Sequence, residues 1–81
     1  MKIKVFTKHY IPIKPATSTA PLTVQYDFEQ EFIFIFDQNI IQLQNSTWCK
    51  ACNSLDDCFK AIKGYFSTCN YHITDIVQMM E

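Results

Sequence analysis

The sequence predicts an α+β fold, a largely antiparallel sheet of about four strands in the order βββαβ with one amphipathic helix packed on one face. Three observations carry this expectation. Leu55, Cys58, Phe59, Ile62, Tyr65, Phe66 and Cys69 recur at helical spacing within Ser54 to Asn70, which is the period of a helix with one buried stripe. Val24, Tyr26, Phe28, Phe32, Phe34 and Phe36 share one parity while Thr23, Gln25, Asp27, Glu29 and Glu31 share the other, the period of a half-buried strand. The chain is 81 residues long with no break in composition, so residues 1–81 are read as a single domain.

Taken in order, Lys2 to Tyr10 reads as a first strand, with Ile3 and Val5 on one face and Lys2, Lys4 and Lys8 on the other. Phe6 is the apolar exception on the lysine face. The opening residues MKIKVFTK resemble the first strand of a glutaredoxin, but HYIPIKP stands where that family carries its cysteine-containing turn, so the chain is not assigned to it. Ile11 to Pro21 holds three prolines with Thr, Ser and Ala, which predicts an extended connection outside any regular ladder. Leu22 to Phe36 reads as one long bent or bulged strand, because parity survives across Glu29 to Glu31 and no Gly or Asn is there to build a tight hairpin. Asp37, Gln38 and Asn39 supply a turn, and Ile40 to Trp48 reads as a third strand pairing back on the second. Ser54 caps the helix, with Asp57 three residues on and Asp56 and Asp57 suited to the positive end of its dipole. Tyr71 to Met80 closes the sheet.

Composition restricts the class. The hydrophobic share is 48%, with seven Phe, four Tyr and one Trp, which favours a folded core over disorder. A net charge of −1 provides no field toward nucleic acid or an anionic membrane. The start MKIKVF lacks the apolar run and cleavage site of a secretory signal, and no stretch approaches the roughly 20 apolar residues of a membrane span. A cytoplasmic location follows as the expectation, the host cytoplasm if the chain is encoded by a phage.

Four cysteines are spaced Cys49-x2-Cys52-x5-Cys58-x10-Cys69, with His72 beyond. Cys49, Cys52, Cys69 and His72 together form C-x2-C-x16-C-x2-H, near the spacing of a zinc ribbon. An unbroken helix would hold the two ligand pairs on the order of 25 Å apart, so a shared zinc requires a break at Gly64, the one glycine. Without it, Cys58 and Cys69 lie on the apolar stripe as small hydrophobes. The segment Trp48-Cys49-Lys50-Ala51-Cys52 is similar to the tryptophan-led Cys-x-x-Cys of thioredoxin-like oxidoreductases. That resemblance implies Cys49 as nucleophile and Cys52 as resolving thiol, with a helix start lowering the Cys49 pKa.

No stretch holds a glycine-rich phosphate loop or a Ser, His and Asp arrangement, and the chain is read as non-enzymatic and without a cofactor. Lys2, Lys4, Lys8 and Lys14 near Phe6 and Tyr10 make the best case for single-stranded nucleic acid, but eight acidic residues balance the lysines. The informative stretch is Phe32 to Phe36, FIFIF, which is apolar on both parities although one helix shields one face. Either the proline-rich connection covers Ile33 and Ile35, or they belong to a patch that a partner or a second copy buries. The favoured expectation is a stoichiometric protein-binding module, monomer or homodimer, that inhibits a larger protein complex, one that processes nucleic acid or serves defence. Binding would run through Phe6, Tyr10, Ile33 and Ile35 with Lys4 and Lys8 at the rim. In size and organisation, a small sheet with one helix at Ser54 to Asn70, the chain resembles the inhibitors that phages and mobile elements carry against bacterial defences, anti-CRISPR proteins among them.

Overall fold

A computed structural model describes residues 1–13 and 23–79. Its elements are β1 (Lys2–Ile13), β2 (Thr23–Asp37), β3 (Ile40–Leu43), β4 (Cys49–Ala51), α1 (Leu55–Ser67) and β5 (Tyr71–Met79). The strands form one sheet in the order β4-β3-β2-β1-β5, antiparallel at every pairing. The fold is thus α+β, with five strands.

The core lies between one sheet face and the helix. Cys58, Ala61, Ile62 and Phe66 of α1 pack with Ile3 and Val5 of β1, Phe34 of β2, and Ile41 and Leu43 of β3. Phe34 is fully buried, and its ring lies 5.7 Å from Trp48, 5.9 Å from Phe66 and 6.1 Å from Tyr65. Each fully buried side chain of this size stabilises the fold by about 1.5–3 kcal/mol. Thr7 is the one buried polar residue among those described; its hydroxyl donates to the Gln30 carbonyl at 2.8 Å, so no desolvated donor is left over.

The helix begins as the sequence indicates. Ser54 Oγ accepts from the Asp57 N–H at 3.2 Å, while the Asp57 carboxylate reaches one residue further back and accepts from the Asn53 N–H. It ends at Ser67, short of the expected Asn70. The Ser67 and Thr68 hydroxyls donate to the carbonyls of Gly64 and Tyr65 at 2.7 and 2.8 Å, closing the last turn without a glycine cap. The Asn70 carbonyl then accepts from the Tyr10 N–H at 2.9 Å, which fixes the turn into β5 against β1.

Three expectations are corrected in the strands. Ile40 to Trp48 is not one strand: β3 ends at Leu43, and Asn45, at a left-handed φ of 64°, turns the chain back into β4 so that the Leu43 N–H meets the Trp48 carbonyl. β1 runs on to Ile13, with Pro12 opposite Val24. That part of β1 lies beyond the end of β5, where the missing proline N–H can face an open edge. The inner row of β2 does not keep one face: the register shifts between His9 and Tyr10, so Asp27 is an extra residue and Tyr26 lies with Lys8 and His72 rather than with Phe28. The Asp37 to Ile40 turn is confirmed, with Gln38 and Asn39 both at positive φ (51° and 61°), as a two-residue type I′ hairpin requires. The suggestion that the proline-rich stretch covers Ile33 and Ile35 falls on residues 14–22, outside the described residues.

Gly64 lies inside α1 at an ordinary helical φ, and an added Cβ would meet nothing within 4 Å. Gly64→Ala is therefore expected to stabilise the protein by roughly 0.5–1 kcal/mol. Thermal unfolding followed by circular dichroism checks this; a lower midpoint in the variant would show that the glycine is needed as a break.

Candidate functional site

Alternation along β1 sends Ile3, Val5 and Thr7 under the helix and Lys2, Lys4, Phe6 and Lys8 to the opposite face. The register then places Ile33 beside Lys4, Ile35 beside Lys2, Glu31 beside Phe6 and Glu29 beside Lys8 on β2. On the other flank, β5 adds Asp75 beside Phe6, Val77 beside Lys4 and Met79 beside Lys2. Gln42 of β3 sits beside Ile35, with Ile40 two pairs further on, opposite Asp37. Among the described residues no element packs over this face, and α1 lies wholly on the other.

Five of the six residues expected from sequence, Lys4, Phe6, Lys8, Ile33 and Ile35, share this open face. Tyr10 has the same parity but stands roughly 20 Å along the strand from Lys4, where its ring stacks on His72 at 4.1 Å. The face therefore has two parts. At one end Ile33 and Ile35, half-buried, neighbour the exposed Ile40, while the exposed Val77 and Met79 lie across β1, on the other side of Lys4 and Lys2. Toward the middle, Phe6, Glu29, Glu31, Thr74 and Asp75 line a shallow depression of about 620 Å³. Beside it the Lys4 ammonium lies 3.1 Å from Glu31 Oε2 and 5.4 Å from the Phe6 ring centre. Glu31 pairs with Lys4 and Glu29 stands opposite Lys8, so carboxylates interrupt the positive row that nucleic acid would need. Lys14 lies outside the described residues. Val77, Met79, Ile40 and Asp75 escaped the sequence reading, since only strand order brings β5 and β3 to the same face as β1.

Both histidines sit where the β1–β2 ribbon leaves the helix-covered core. His9 Nδ1 donates to Asp27 Oδ1 at 2.7 Å, and its ring stacks on Phe28 and meets Tyr71 edge-on. The Tyr26 hydroxyl and His72 Nδ1 share a bond of 2.8 Å. Each histidine is held by a partner from a different strand, which suits a structural role in joining β5, β1 and β2.

The cysteines divide between the two ends of α1. The helix continues through Gly64, so Cys49 and Cys52 precede it and Cys69 and His72 follow it, at opposite ends of roughly 20 Å of helix. Among the described residues, no group of three or more His, Cys, Asp and Glu side chains is placed to hold a metal ion. Cys49 is exposed on edge strand β4, upstream of the N-cap Ser54, and so lacks the helix start that the thioredoxin-like resemblance implies. Cys52 is buried and neighbours Cys58 instead. Burial pushes the Cys58 thiol up from 9.0 to about 11, the Cys52 sulfur adding to the shift. Burial likewise raises the Tyr65 hydroxyl, with Cys69 beside it.

Because the folded-state pKa of Cys58 is raised, its stabilising contribution is complete below pH 9.0 and declines as pH rises toward about 11. The loss is on the order of 2–3 kcal/mol over that range. Urea unfolding at increasing pH is expected to show this decline in the wild type, with a shallower slope in Cys58→Ala; equal slopes would remove Cys58 as its source. Compared with known proteins, the chain matches no family model, no curated protein sequence and no solved structure.

Proposed function

We propose that the protein is a stoichiometric protein-binding module whose open sheet face docks on a larger protein, in the manner of a small inhibitor of a multi-component complex. The observation that carries the reading is one end of that face, where Ile33, Ile35 and Ile40 lie on one side of Lys2 and Lys4 and Val77 and Met79 on the other, with no element above them among the described residues. Two exposed apolar groups that flank Lys2 and Lys4 make a mixed apolar and charged surface of the kind that docks on another protein. Phe6 supplies an aromatic anchor beside it. An inhibitor of the anti-CRISPR kind would use such a surface to occupy its target.

Ile33→Glu tests this reading. The new carboxylate stands opposite Lys4, so the fold is expected to survive, while a charge at the centre of the patch should weaken binding by 100-fold or more, roughly 3 kcal/mol. Affinity capture from the source cell's extract compares wild type, Ile33→Glu and Lys60→Glu, the last altering an exposed helix position. A protein retained in equimolar amount by wild type and Lys60→Glu but lost with Ile33→Glu supports the proposal. Equal retention by a folded Ile33→Glu variant sinks it.

A further inference from the structure

The two edges of the sheet are treated differently by the sequence. β4, at one edge, is only three residues long and carries Lys50 at its centre, two devices that discourage another strand from adding. β5, at the other edge, is nine residues long and contains no lysine, arginine or proline. Among the described residues it pairs only with β1, and no further backbone hydrogen bond reaches it. Among the described residues its outer row of N–H and C=O groups therefore has no backbone partner, and of that row the Ile76 N–H is taken by the Asp75 carboxylate.

One irregularity limits that edge. The register with β1 shifts between Phe6 and Thr7, at Thr74 and Asp75. The Thr74 hydroxyl is bound to the Phe6 carbonyl, and the Asp75 carboxylate accepts from the Ile76 N–H at 2.9 Å. Beyond the bulge, Ile76 to Met79 form a regular, uncharged stretch, with Val77 and Met79 exposed by 41% and 38%.

We propose that this stretch pairs with the same stretch of a second copy, antiparallel about a two-fold axis at Val77, so that two sheets become one. The uncharged stretch from Ile76 to Met79, with its one nearby charge held outside it at Asp75, suits a second copy of itself. The axis sets Val77 against Val77, Ile76 against Gln78 and Asp75 against Met79, which keeps the two Asp75 carboxylates apart, leaves the Ile76 N–H with Asp75 and lets the Gln78 N–H of each copy donate to the Ile76 carbonyl of the other. The antiparallel pattern of the whole sheet continues unbroken. Val77 and Met79 of both copies then join across the seam and extend the apolar end of the open face. A four-residue seam buries less than the ~800 Å² per partner of a long-lived complex, so the dimer is expected at about 100 µM and lost by about 1 µM.

Val77→Glu separates the states. In the monomer the new carboxylate stands opposite Lys4, whereas at the seam two would meet. Sedimentation velocity across that concentration range is run on wild type, Val77→Glu and Ile33→Glu, with amide exchange of the wild type at both extremes. The expected result is a concentration-dependent dimer in wild type and Ile33→Glu, a monomer in Val77→Glu with unchanged thermal midpoint, and slower exchange confined to Ile76–Met79 at high concentration. A wild type that stays monomeric overturns the proposal, leaving the edge to a foreign strand if to any. A dimer that persists in Val77→Glu, or that Ile33→Glu abolishes, also overturns it and moves the contact off the edge.

Discussion

Helix α1 is about 20 Å long at 1.5 Å per residue, while β1 and β2 run for roughly 40 and 50 Å at 3.3 Å per residue. This mismatch governs the molecule. One helix covers one face of the sheet, and only along half the length of its two longest strands. The covered half holds the core, centred on Phe34. The described residues accordingly extend 50 × 21 × 21 Å, a rod rather than a sphere. Past the end of β5, β1 and β2 continue as a two-stranded ribbon with Ile11, Ile13, Val24 and Tyr26 exposed. The ribbon is anchored at its root by His9, Asp27, Tyr26 and His72.

The same constraint decides what the cysteines do. Continuous packing of Cys58, Ile62 and Phe66 against the sheet requires a continuous helix, and that keeps Cys49 and Cys52 away from Cys69 and His72. The sulfur atoms are then used locally. Cys52, just before the cap, neighbours Cys58 in the second turn, an apolar contact across the helix start akin to a hydrophobic staple. A raised thiol pKa is the electrostatic consequence of that burial, and it makes Cys58 a poor nucleophile.

An uncovered face and an unpaired edge meet at Val77 and Met79. On the face, half-buried isoleucines adjoin Lys2 and Lys4, the second of them paired with Glu31, so its attraction is largely apolar and short-ranged. At the edge, the attraction is backbone hydrogen bonding, which needs an extended partner. Docking of a larger protein on the face and pairing of two copies at the edge use different atoms and are compatible in one assembly.

The sequence by itself determined what depends on local order along the chain. It specified the helical stripe and cap from Ser54, the turn at Gln38 and Asn39, the single long β2, and a FIFIF segment with too many apolar faces for one helix. Lys4, Phe6 and Lys8 were placed with Ile33 and Ile35 by parity alone, because a period of two is a property of the backbone. Only the tertiary structure decided the strand order, the bulges at Asp27 and Thr74, the splitting of Ile40 to Trp48 at Asn45, and the meeting of Cys52 with Cys58. These rest on pairing register between segments far apart in sequence. Register is set by which side chains find room under the helix, a condition that no window of the sequence contains.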